Sequence, residues 1–345
     1  VSPREACFDT LTVTFTNEKE ASRLAAELSK KRIFPRRYGD GRIGIALDER
    51  SSEELLETLL AAFAELRGRD TPQLSSLPSE ADEGESLGTH ARSEPFLSQQ
   101  VFHEHQTETK MMRYIKRLEG RDLSLAHSMI PLGSCTMKLN AAAEMQSLTH
   151  DGFASLHPFL PADAAAGYHR LFRSMERELA TLTGFAATTL QPNSGAQGEF
   201  TGHMLIRAWH RSRRDGERNV CLIPDSAHGT NPASAVMAGM EVVVLQSRED
   251  GSIDMERLRE RISEHRERLA AIMITYPSTH GVFEAEIAQV CNLIHEAGAL
   301  VYMDGANLNA QVGLTAPAKV GADVCHINLH KTSAIPHGGG GPGMG

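Results

Sequence analysis

From about residue 101 onward the chain repeats one theme, a short apolar run followed by a helical stretch. The runs read AATTLQ, VCLIPD, VVVLQ, AAIMITY, ALVYMD and DVCHINL. Runs this short, apolar on both sides of the alternation, are what strands covered on both faces require. The intervening stretches carry the helical period; at 254–268, Met255, Leu258 and Ile262 form one stripe. Buried strands alternating with helices predict an α/β architecture built on a mostly parallel, doubly wound sheet. In such sheets ligands sit beyond the carboxyl ends of the strands. The residues that follow each run therefore carry the functional argument.

The N-terminal part is organised differently. In FDTLTVTF, Leu11, Val13 and Phe15 alternate onto one face, and Asn17 introduces a helical stretch to Lys31. A hairpin is expected to turn at Gly39-Asp40-Gly41, with Ile43, Ile45 and Leu47 on one face. Ser51 or Ser52 caps a second helix that ends at Gly68. Residues 1–68 thus read as a small α+β unit. Residues 69–100 hold Pro72, Pro78 and Pro95 among acidic residues without apolar periodicity, and read as a linker. Residues 101–345 form the large domain. A net charge of −9 gives no support to nucleic-acid binding, and no apolar run approaches a membrane span. The five cysteines, Cys7, Cys135, Cys221, Cys291 and Cys325, are odd in number and make no CxxC pair, which argues for a reducing compartment.

Beyond the first run, Ser194-Gly195-Ala196 opens a helix, where free amides and the helix dipole favour an anion such as phosphate. Small residues also start many helices that bind nothing. His228 and His280 each precede a glycine just past an apolar run. The residues alone do not decide which of the two faces a ligand. Asp304 ends a run that reads as fully buried, where a carboxylate needs a cation, a ligand or the cap of a following turn. Lys331 lies between the last run and a glycine tract at 338–341. Partial desolvation there would lower its pKa and make it a Schiff-base nucleophile. An anion nest, a ring to stack, an acid for a ring nitrogen and a lysine for an aldehyde together fit pyridoxal 5′-phosphate (PLP). A metal site of His326, His330 and His337 competes, since residues two apart on a strand share a face. It would leave Asp304, Lys331 and the anion nest without a role.

Six stretches then carry a resemblance: MIPLGSCTMKLNAAAEM, QPNSGAQGEF, DSAHGTNPASA, YPSTHGVFE, YMDGANLNAQVG and HINLHKT…PHGGGGPGMG. Over about residues 102–345 the chain closely resembles the glycine decarboxylases, the P-proteins of the glycine cleavage system. That resemblance implies the type I fold of PLP-dependent enzymes. It implies decarboxylation of glycine, with transfer of the aminomethyl group to the lipoyl arm of H-protein. Lys331 is then the lysine that binds the cofactor, Asp304 the partner of its ring nitrogen and His228 the stacking ring, with Ala306 on the other face. Thr279 lies near the ring hydroxyl, Ser194, Gly195, Ala196 and His330 surround the phosphate, and His280 stands on the substrate side. The chain departs from the family's usual TFCIP after the lysine, where it reads TSAIP.

The resemblance also implies partners in the remainder of a longer P-protein chain and a second copy of it. It implies a bacterial cytoplasm, or alternatively a mitochondrial matrix. The strand that follows the glycine tract in the family lies beyond residue 345, so the 345-residue piece is expected to be poorly stable and to turn over little by itself.

Overall fold

The computed structural model describes residues 9–76, 91–123, 141–335 and 344. Cys7, Cys135, His337 and the glycine tract expected to turn beside the cofactor lie outside the described residues. The chain divides into two compact units, residues 1–114 and 115–345.

The first unit is built around a three-stranded antiparallel sheet on which two helices pack. Strands β1 (Thr10–Thr14), β2 (Arg36–Arg37) and β3 (Arg42–Ala46) lie in the order β1-β3-β2, with Val13 opposite Ile43. Asn17 starts the helix Glu18–Lys30 by accepting the Glu20 amide at 3.1 Å. Ser52 does the same for Glu53–Arg67 through the Leu55 amide at 3.2 Å. Gly68 ends that helix at φ +61°, a left-handed conformation that suits glycine. The helices press Leu24, Leu28, Leu59 and Ala62 onto Phe15 and Ile43.

The second unit carries the parallel sheet. Its strands are β4 (Val220–Pro224), β5 (Glu241–Leu245), β6 (Leu269–Thr275), β7 (Leu300–Gly305) and β8 (Val324–Ile327), in the order β5-β4-β6-β7-β8. Every pairing is parallel. Alternation along each strand feeds two cores. Leu222, Ile272, Ile274, Val301 and Met303 meet Leu258 and Ile262 of the helix Met255–His265 and Val290 and Ile294 of Ile287–Glu296. Cys221, Ile223, Ala271, Met273 and Tyr302 meet Ile206 of the helix Gly195–Ser212 and Ala235 of Thr230–Met237. Helices therefore cover both faces, as double winding requires.

The helix Gly195–Ser212 lies very close to β7. A Cβ on Gly202 would overlap the edge of the Tyr302 ring. One expected strand is missing from the sheet. The AATTLQ run, residues 186–191, pairs with no described strand, and with β8 it lines a cavity of about 180 Å³. A strand exists through its ladder, and at this edge no described neighbour supplies one. Among the described residues no helix is long and apolar enough to cross a membrane. Cys221, Cys291 and Cys325 are free thiols, and burial raises the pKa of each.

Candidate active site

Asp304 lies near the carboxyl end of β7 and is 3 % exposed. The register sets it beside Thr275 of β6 and His326 of β8. A carboxylate this deep survives only with partners. Its Oδ1 accepts the Ala306 amide at 2.9 Å and faces His326 Nε2 at 3.2 Å, and its Oδ2 accepts Asn231 Nδ2 at 3.0 Å. Burial pushes the carboxyl up. The charge and hydrogen bond of His326, with those of Asn231 and Ala306, outweigh burial and hold it well below the usual carboxylate range. The turn-capping alternative is thus part of the answer, because the Ala306 amide takes up one share of Oδ1.

Behind this acid lies a second layer. His326 Nδ1 stands 2.9 Å from the Tyr302 hydroxyl, and burial raises that phenol well above its ordinary value. The Tyr302 ring stacks on His203, with centroids 4.8 Å apart. Burial, followed by the charge of His326, depresses His203 to about 4, so this ring is neutral near pH 7. Its Nε2 approaches Met273 Sδ at 3.3 Å.

The helix Gly195–Ser212 points its N-terminus into the same region. Ser194 Oγ accepts the Gln197 amide at 3.3 Å. The amides of Gly195 and Ala196 have no acceptor among the described residues, as the first turn of a helix dictates. A Cβ at Gly195 would come within 2.6 Å of Asn328 Oδ1, so only glycine lets this end approach the segment before Lys331. One turn further on, Glu199 is 3 % exposed. Its Oε1 accepts the Thr230 hydroxyl at 2.9 Å, while its Oε2 has no partner among the described residues. Thr230 Oγ1 in turn lies 2.8 Å from His228 Nδ1. His228 is exposed, with its ring anchored through that nitrogen.

Lys331 is half-buried in the single turn Leu329–Thr332, and no acid pairs with it among the described residues. His330 is buried, its Nδ1 2.8 Å from the Met344 carbonyl. Ala306 is half-buried, whereas Thr279 and His280 are exposed in the loop after β6. His280 lines a hollow of about 490 Å³ with Asp225, Ser247 and Arg248–Gly251. The contacts therefore knit together His228, Asp304, the Ser194–Ala196 end and the Asn328 turn that precedes Lys331. They do not tie in Thr279 or His280.

The histidine metal reading includes His337, which lies outside the described residues. β8 ends at Ile327, so strand alternation does not carry His326 and His330 onto one face. Glu199, Asp304 and His326 do place ligand atoms within 4.8 Å of one another. The short Asp304–His326 contact makes this a hydrogen-bonded acid and base rather than an open cage. Glu199, Asn231, Tyr302 and His203 were not singled out in the sequence. A signal existed for two of them, since Glu199 follows Gly195 by one helical turn and Tyr302 shares a strand face with Asp304.

The chain's relatives give this geometry a context. The family described as Beta-eliminating lyase matches residues 161–340. A glycine dehydrogenase (decarboxylating) of Parasynechococcus marenigrum is 55 % identical over all of this chain, and one of Flavobacterium johnsoniae is 54 % identical over 99 % of it. The chain spans 36 % and 35 % of their lengths, about a third of each. Among solved structures, an inhibitor-bound glycine decarboxylase (P-protein) superposes with a TM-score of 0.55 at 20 % identity, over 86 % of this chain and 61 % of that one. That likeness supports the fold, and the expected α/β type I class is the one found.

Proposed function

Because the chain belongs to the beta-eliminating lyase family, we propose that it holds PLP and serves the decarboxylation of glycine, with the aminomethyl group passing to the lipoyl arm of H-protein. The observation that carries this reading is the state of Asp304. It is buried, held ionised, and its Oδ2 has a single donor among the described residues, which leaves a lone pair there for a protonated ring nitrogen. The donor set fits the rest of the cofactor. The amides of Gly195 and Ala196, unpaired among the described residues, suit a phosphate with Ser194, and Lys331, which meets no acid among them, suits an aldehyde.

When bound, PLP supplies that aldehyde and a ring that takes up the electrons released with carbon dioxide. The chain's own residues do the rest. Lys331, half-buried in the turn Leu329–Thr332, would hold the cofactor through its aldehyde. Asp304 keeps the ring-nitrogen proton in place and lowers the cost of charge developing in the ring. His228 stacks on one ring face, oriented by the Glu199–Thr230 chain, and Ala306 covers the other. Thr279 serves the ring hydroxyl, His330 the phosphate side and His280 the substrate side.

The proposed partners are glycine, lipoylated H-protein, the remainder of a longer P-protein chain and a second copy of it. The proposed division is 1–68, 69–100 and 101–345, and the proposed compartment is the bacterial cytoplasm. The test is borohydride reduction in the presence of PLP, followed by peptide mass mapping. The pyridoxyl mass is expected on the peptide containing Lys331 and is expected to vanish in Lys331→Ala. A label on Lys319 instead would overturn the assignment.

A further inference from the structure

Asp304 Oδ1 and Oδ2 are not equivalent. Among the described residues Oδ1 has two partners, the Ala306 amide and His326 Nε2, whereas Oδ2 has only Asn231. What keeps His326 turned this way lies one residue pair further back. Tyr302 and Asp304 stand two apart on β7 and so share a face, and His326 lies beside Asp304 in the β7–β8 ladder. One imidazole thus bridges a phenol at Nδ1 and a carboxylate at Nε2. A buried phenol keeps its proton and can donate it. The Tyr302 contact at Nδ1 fixes the ring so that Nε2 faces Asp304, and an N–H there is what Oδ1 can accept. The opposite tautomer would set the lone pair of Nε2 against that of Oδ1.

We propose that Tyr302 and His326 are positioning residues, which fill Asp304 Oδ1 and leave Oδ2 as the atom that would accept the hydrogen bond of the cofactor's protonated ring nitrogen. The proposal rests on the reading of this site as a PLP site. Tyr302 is itself held in place, stacked on His203 and closely approached by the helix at Gly202. The titratable groups around the pair are Asp304 and Cys325 on the strands, and Glu199 and His203 on the helix Gly195–Ser212. Glu199 Oε2 has no partner among the described residues, and it is the second buried carboxylate close to this imidazole.

Two readouts test the proposal, and neither is turnover. The first is ring ¹⁵N NMR of histidine-labelled chain without cofactor. Wild-type His326 is expected as a single ring species with a proton on Nε2, and Tyr302→Phe as a mixture of ring states. The second is titration with PLP carrying ¹⁵N at the ring nitrogen. Tyr302→Phe is expected to weaken binding about 3- to 10-fold, the worth of one hydrogen bond, and to move ring-nitrogen deprotonation to lower pH. His326→Gln keeps a donor within reach of Oδ1 and is expected to lose less than His326→Leu. That contrast carries the test if Tyr302→Phe fails to fold. Wild-type loading with unchanged affinity and ring-nitrogen titration in all three variants would overturn the proposal and leave the PLP site standing. A wild-type chain that binds no PLP would overturn both.

Discussion

The N-terminal unit and the carboxyl end of the parallel sheet handle polar groups in opposite ways. In the small unit the core cluster is apolar, with Leu24, Leu28 and Ile43 fully buried, and the ion pairs Lys30–Glu27, Arg37–Glu18 and Arg42–Asp40 are exposed. At the sheet end Glu199, His203, Asn231, Asp304, His326 and Asn328 are all buried. Burying such groups costs more than it returns unless each finds a partner, and Glu199 Oε2 and His203 Nδ1 find none among the described residues. A fold seeking stability alone would have placed leucines there. The contrast separates a region built to hold together from one built to hold something else.

The comparison can be broken by experiment, and the largest effect belongs to the apolar core. Leu24→Ala is expected to cost about 2 to 5 kcal/mol in urea denaturation, with little dependence on pH. A strongly pH-dependent loss would show that the small unit hides a titrating group. Next comes His203. Its folded value near 4 lies below the 6.5 of an ordinary histidine. The unfolded chain therefore binds more protons between those values, and stability present above pH 6.5 is lost as pH falls towards 4. On the order of 3 kcal/mol is at stake, at about 1.4 kcal/mol per pH unit. His203→Phe, which preserves the stack on Tyr302, should flatten that window. Equal slopes in the two proteins would mean that His203 is charged in the folded state.

Asp304→Asn follows, with an expected loss of about 2 kcal/mol at pH 7, the worth of a charged hydrogen bond. Its folded carboxyl is depressed, so this contribution is fully present above about pH 4, the unfolded value, and fades as pH falls below it. The gap between wild type and variant should therefore narrow only in acid. In a longer P-protein chain that carries this segment, carbon-dioxide exchange with H-protein should fall by about 10²-fold or more. Near-normal exchange would reduce Asp304 to a turn cap. The smallest effect is expected at Lys30→Gln, which removes an exposed pair with Glu27 and should give no resolvable shift in melting.

Much of this was legible in the sequence, because local patterns wrote it. Asn17, Ser52, Gly68 and Asp254 cap or end helices where side-chain chemistry predicts. Five of the six apolar runs became strands. AATTLQ did not, since pairing is a property of two segments and a single run carries only half of it. The same limit applies to the site. Asp304 stood out because a charge ended an apolar run. His326 stood out only as a possible metal ligand, because its partner lies across a ladder whose register the sequence does not spell. Asn231 and Glu199 are ordinary helix residues until a neighbouring element arrives.

Gly202 sets a distance by lacking a side chain. It lies seven residues into the helix whose first amides face the proposed phosphate, about 10 Å along the axis, and it rests on the ring of Tyr302. The helix behaves as a rigid rod with its fulcrum at that contact. A methyl group at the fulcrum would tilt the rod, swinging the amides of Gly195 and Ala196 and shifting Tyr302 beneath His326. Gly202→Ala is thus expected to weaken inorganic phosphate binding and to disturb the His326 ring signals together, although the residue touches neither. If only one of the two readouts moved, the two ends of the cofactor would be held to gauge by separate parts of the fold.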